Sequence, residues 1–282
     1  MMKKIAQCFL LIILLIGSGK PIFADDTKWE DENTPISFRV ELLAWEEVDE
    51  IIPNKSKFTI IDVETGLMFR VQRRAGSRHA DVQPLSSEET AIMKKIYNGK
   101  WSWNRKAIIV LAGDKMIAAS MAGMPHGAGV LKNDFRGHFC VHFYGSTTHR
   151  SNRVDPAHQL MVLKASGKLH DYLQEASVEE VFQAFEIAIN QQDETLFNLV
   201  SDGRSCKKCF QDIVHKVSYL SISSLEKNER ENNLFFNTVT AKVEFFNENN
   251  KKINKFANFL LKRSNPYEQW VIDFNQFKSI ID

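Results

Sequence analysis

The sequence predicts an α+β protein: a mainly-β unit with flanking helices, followed by a smaller α+β unit. Three observations carry this. Apolar residues alternate with polar ones on both sides of tight-turn signals, which is the period of half-buried hairpins. Helical stretches are few and open on capping signals, Ser86-Ser87-Glu88-Glu89 and Ser177-Val178-Glu179-Glu180. Residues 177–282 read as helix, helix, then several strands.

The amino terminus precedes that pattern. Met1-Met2-Lys3-Lys4, an apolar run over Ile5–Ile16 and the ending Ile22-Phe23-Ala24 form a secretory signal peptide, residues 1–24. Its apolar core is shorter than the roughly 20 residues that a membrane helix needs. The protein is therefore expected outside the cytoplasm, secreted or held at the cell wall. Removing this segment takes away three lysines and leaves 33 basic against 35 acidic residues. No polybasic face for nucleic acid survives, and no later stretch reaches membrane length. Residues 25–35 carry five acids and read as a flexible arm. The remaining length suits two domains, placed at 36–175 and 176–282.

The elements follow in order. Ile36, Phe38, Val40 and Leu42 alternate as a strand, and Trp45–Ile52 reads as a short helix stopped by Pro53. Lys57–Arg73 is a hairpin about Glu64-Thr65-Gly66, and Ser86 opens a helix to Tyr97. A second hairpin joins 107–112 to 116–121 through Gly113-Asp114, a strong turn dipeptide. Residues 123–137, rich in glycine and proline, read as a loop before a strand at His138–Tyr144 and one helix over Pro156–Leu173. In the second unit, helices from Ser177 lead to strands near 214–222, 234–246, 253–263 and 268–274.

Cysteine use points to a site. Without the signal segment three cysteines remain, Cys140, Cys206 and Cys209, and three cannot all pair. Cys206 and Cys209 are close enough for a local disulfide, which leaves Cys140 as a free thiol in an oxidising compartment. Five of the eight histidines fall between residues 126 and 158. On a strand, Phe139, Val141 and Phe143 face one way and His138, Cys140 and His142 the other, about 7 Å per two residues. A thiol attacks as thiolate, and an imidazole is the usual means of removing its proton. His126 is the better base, because its glycine-flanked segment can fold back over the strand.

These residues resemble the L,D-transpeptidases of the bacterial cell wall, the YkuD type. That family carries His-Gly, a spacer, then Ser/Thr-His-Gly-Cys, a further residue and Arg or Asn. Here His126-Gly127 matches the first part and Gly137-His138-Phe139-Cys140-Val141-His142 the second, within roughly 57–145. The resemblance implies a catalytic set of Cys140 as acyl-accepting nucleophile, His126 as its base and His138 as support. It implies peptidoglycan stem peptides as partners, no cofactor, and substrate contacts at Gly127 and at His142, which stands in the Arg/Asn place. Gly137 replaces the motif Ser/Thr and Phe139 its glycine, so a bulky side chain adjoins the backbone donors of an oxyanion hole.

Other readings attach to the same region. His79, Asp81, His126 and His138, with His142 and His149, supply donors for a catalytic zinc, although the spacing matches no established zinc motif. Arg73, Arg74 and Arg78 read as an exposed basic face, with Arg78 a candidate for a substrate carboxylate. Trp101 and Trp103 suit sugar stacking or a hydrophobic lid. In the second unit, Phe182-Gln-Ala-Phe-Glu-Ile-Ala-Ile-Asn-Gln-Gln-Asp193 resembles the first helix of nuclear-transport-factor-like cone domains, which implies a curved sheet around a helix and an accessory role. The expected function is cysteine acyl transfer or hydrolysis on wall peptides; the alternatives are a non-catalytic wall-binding protein and a zinc-dependent wall hydrolase.

Overall fold

Gly113-Asp114 turns the longest hairpin of the first sheet, β5 (Arg105–Ala112) against β6 (Lys115–His126), with Ala112 opposite Lys115. The computed structural model describes residues 39–148, 152–205, 208–227 and 233–282. The segments expected as signal peptide and acidic arm lie outside them, as do His149 and Cys206. Strands β2 (Lys57–Asp62) and β3 (Met68–Ala75) form the other expected hairpin, with Ile60 opposite Phe69. β4 (Ala80–Pro84) and β7 (His138–His142) complete the set. The pairing runs β6–β5–β2–β3–β4–β7, and β7 pairs back onto β6, so the strands close into a ring. A two-residue strand, β1 (Val40–Glu41), adds to β6 in parallel.

Closure gives every ring strand an inside and an outside, and alternation sorts the side chains. Ile60, Phe69, Val71, Val82, Ile108, Val110, Met121, Phe139 and Val141 share one core. Helix α1 (Trp45–Ile51) adds Trp45 and Val48 to it, and α2 (Ser87–Ile96) adds Met93 and Ile96. Ser86 caps α2 through the Glu89 amide, as its sequence predicts. The Glu89 carboxylate instead takes the side chain and backbone amide of Arg70, 2.7 and 2.8 Å away, and ties the helix to β3.

The outer face over β5 and β6 is also covered. Ala107 and Ala118 are small, and α3 (Pro156–Ala165) packs there, sharing a second core with the carboxy-terminal elements. The expected helix over 156–173 is two helices. Gly167, at φ +74°, turns the chain after Ala165, and α4 (Leu169–Gln174) follows. Helix α5 (Val178–Gln191) opens on a complete capping box between Ser177 and Glu180. Its apolar stripe packs with α6 (Glu194–Val200), α7 (Cys209–Lys216) and an antiparallel sheet of β8 (Val217–Lys227), β9 (Phe236–Asn247), β10 (Lys252–Lys262) and β11 (Val271–Ile272).

The chain is thus α+β, with a closed mainly-β sheet and a second four-stranded sheet. The expected strand over 268–274 is only its middle. Asp273 caps the Gln276 amide and starts α8 (Phe274–Ile281), whose Phe274, Phe277 and Ile280 enter the second core. Half-buried Lys164 of α3 binds Asp193 at 2.6 Å and Glu64 at 3.0 Å, which joins the helix layer to the first hairpin. Among the described residues no helix is long and apolar enough to cross a membrane.

Candidate active site

The outward faces of β4, β6 and β7 meet at Cys140. Cys140 lies opposite Asp81 on one side and Ala122 on the other, and His126 lies opposite His138. The ladder between β6 and β7 shifts register between Ala122 and His126, so β6 bends where His126 leaves it. His126 therefore ends a strand, and the loop expected from residue 123 begins after it.

Two glycines make this approach possible. Gly127 has φ +60° and sits against the His138 ring, which a Cβ would overlap. Gly137 has φ +98°, and a Cβ there would overlap the His126 carbonyl oxygen. Both positions need a residue that tolerates left-handed backbone and has no side chain.

The Nε2 atom of His126 is 3.3 Å from Sγ of Cys140. Its Nδ1 is 2.9 Å from the Met124 carbonyl oxygen. A carbonyl only accepts, so Nδ1 carries the proton and the neutral ring presents Nε2 to the thiol as an acceptor. His79 and His138 are anchored in the same way, Nδ1 donating to Thr147 O at 2.8 Å and to Ala128 O at 3.1 Å. Their Nε2 atoms point toward Asp81 Oδ1, at 3.3 and 3.7 Å. Asp81 Oδ1 is the second acceptor within reach, 3.8 Å from Sγ, so it and His126 Nε2 compete for the one thiol proton.

The electrostatics keep this thiol protonated at rest. Burial raises the Cys140 pKa, and the charge of Asp81 and its hydrogen bond raise it further. Cys140 is 7% exposed and is not in a disulfide. Exposed Trp103 lies beside His126, with ring centres 5.1 Å apart. Trp101 packs edge-on against Phe135 instead and belongs to the core side.

Residues named from sequence are distributed unevenly around this centre. Cys140, His126 and His138 come together. Phe139 turns its ring into the first core against Phe69 and Phe135, away from the thiol. Gly127 is at the exposed rim. His142 does share the Cys140 face, but α3 covers it: its ring is stacked between His79 at 4.3 Å and His158 at 3.8 Å, and it is 2% exposed. Burial pushes its pKa far down, and the neighbouring His158 and His79 add to that. Arg78 is exposed, whereas Arg73 is buried, paired with Asp49 at 2.6 Å and bonded to Ile52 O at 2.8 Å. The arginines therefore do not form one basic face. Cys209 is disulfide-bonded and buried.

Sequence reasoning missed Asp81 as a partner of the thiol and His158 as a neighbour of His142. Helix α3 supplies the second: His158 donates or accepts at Ser120 Oγ, 2.9 Å away on β6. Among the described residues, the compact group of metal-capable donors is His79, Cys140 and His142. Asp81, His126 and His138 are not members of it. No protein-family model matches this chain, and no curated protein sequence matches it.

Proposed function

We propose that the protein is an exported cell-wall enzyme that uses Cys140 for acyl transfer or hydrolysis on peptidoglycan stem peptides, in the manner of an L,D-transpeptidase. The observation that carries this is the contact of Cys140 Sγ with His126 Nε2 at 3.3 Å, in a ring whose tautomer the Met124 carbonyl sets. His126 takes the thiol proton as sulfur attacks the carbonyl carbon. The resulting tetrahedral oxyanion collapses, the leaving amine takes that proton from His126, and a thioester remains on Cys140. An incoming amine or water then gives its proton to His126 as it attacks the thioester carbonyl, and the departing sulfur takes that proton back, which restores the Cys140 thiol and the neutral imidazole. Because burial and Asp81 oppose a resting thiolate, the proton leaves during attack, as in general-base catalysis.

His138, anchored to Ala128, supports the site by packing edge-on to His126 at 4.6 Å between ring centres. Exposed Trp103 supplies a face for a sugar ring or stem at the mouth. The four-stranded sheet with α5 serves as a nuclear-transport-factor-like accessory domain. The zinc-hydrolase reading through His79, Asp81, His126 and His138 has less support, since the compact donor group is a different one. A non-catalytic wall-binding protein is favoured only by the burial of the thiol.

Incubation of the purified protein with a carbapenem followed by intact-mass measurement tests the proposal. A mass increase of one drug that disappears in Cys140→Ala supports it. An unmodified wild-type mass after prolonged incubation argues for the binding protein.

A further inference from the structure

The face of β7 next to the proposed nucleophile holds a group that acyl transfer does not use. Donor atoms of His79, Cys140 and His142 all lie within 4.8 Å of one another, and all three residues are buried. Zinc holds sulfur at about 2.3 Å and imidazole nitrogen at about 2.1 Å, so tetrahedral ligands sit roughly 3.4–3.6 Å apart. Donors within 4.8 Å of one another need to approach by up to about 1.4 Å to share one ion.

Two further observations point to a ligand there. His142 Nδ1 is buried without any hydrogen-bond partner, an expensive state for a polar atom in a ring that is 2% exposed. His79 has the orientation of a metal-binding imidazole. Its Nδ1–H is committed to the Thr147 carbonyl, which fixes the tautomer and leaves Nε2, 3.3 Å from Asp81 Oδ1, as the atom that can ligate.

We infer that His79, Cys140 and His142 form a binding site for a thiophilic divalent cation of the zinc class, with the remaining coordination position open to water. The inference rests on reading Cys140 as the nucleophile in one respect: a metal on Sγ occupies the lone pair that would attack, so zinc and acyl transfer exclude each other. His126, on the other side of the sulfur, is not a ligand. The site thus differs in both membership and role from a catalytic zinc held by His126 and His138.

Cobalt(II) titration of the full, chelator-stripped protein tests this without reference to activity. The expected result is a thiolate-to-cobalt charge-transfer band that saturates at one ion per chain and is displaced by zinc. Cys140→Ser removes the band, and His126→Ala keeps it. His142→Ala and His79→Gln weaken binding by more than the roughly 10–100-fold that losing a ligand's hydrogen-bond partner costs. Circular dichroism confirms that each variant is folded. Absence of the band in the wild type overturns the inference, and so does unchanged binding in folded His142→Ala. A cobalt band without a carbapenem adduct keeps the metal site and removes the acyl-transfer reading; an adduct without a band does the reverse.

Discussion

Asp81 and Cys140 face each other across β4 and β7, with the thiol sulfur 3.8 Å from a carboxylate oxygen that also meets His79 and His138. The carboxylate opposes formation of a thiolate. With burial, the larger cause, this carboxylate raises the pKa of the Cys140 thiol.

Asp81→Asn removes that charge while keeping the side-chain shape. Burial is the larger influence on the thiol and remains, so the pKa of Cys140 falls without returning to its ordinary value. Iodoacetamide alkylation of chelator-treated protein at mildly alkaline pH is expected to speed up by about tenfold, the effect of one pKa unit. An unchanged rate, with the variant's unfolding midpoint intact, contradicts the role given to Asp81.

Gly137→Ala and Gly127→Ala test the approach of the two histidines. Left-handed backbone costs about 1–2 kcal/mol in a residue with a Cβ, and the overlaps at the His126 carbonyl and the His138 ring add to it. Gly113→Ala has the same sign of φ, at +64°, with nothing near its Cβ. Urea unfolding should rank Gly137→Ala as the most destabilised and Gly113→Ala as the least, and equal losses at all three would deny the close approach.

Lys164 links acid and alkaline stability. Burial lowers its pKa, but Asp193 and Glu64 outweigh burial and the net shift is upward. The stabilisation is fully present below the unfolded lysine pKa and is lost as pH rises through the higher folded value. For Glu64, burial raises the pKa, and Lys106 and Lys164 together bring it below the ordinary value. That contribution is present above the unfolded glutamate pKa and is lost as pH falls through the folded one. Lys164→Met leaves Asp193, 3% exposed, without its cation. The expected loss near neutral pH is about 3 kcal/mol by denaturant titration. A loss below about 1 kcal/mol would place the pair among those that contribute little.

What could be read from the sequence was whatever local chemistry decides alone. Gly113-Asp114 places a hairpin by turn geometry, and Ser177 with Glu180 starts a helix by capping. The alternation of β7 correctly separates Phe139 and Val141 from Cys140, because one side of that strand is the barrel interior. It does not tell which outward residues a later helix will cover. His142 is buried by α3, 14 or more residues on, and so lies in a stack of rings closed to solvent. Strand β4 has no alternation to read, since all five of its residues are buried, and with it Asp81 escaped notice as a partner of the thiol. Helix α8 did leave a signal: Asp273 followed by Phe274, Phe277 and Ile280 at helical spacing.

The proposed acyl transfer depends most on His126 acting as base for Cys140. The time course of carbapenem adduct formation, followed by intact mass in wild type and in His126→Ala, tests that directly. General-base assistance contributes about 10²–10⁴ in rate, so the variant is expected to acylate at least about a hundredfold more slowly while Cys140 remains alkylatable after denaturation. Acylation of His126→Ala at the wild-type rate would contradict it.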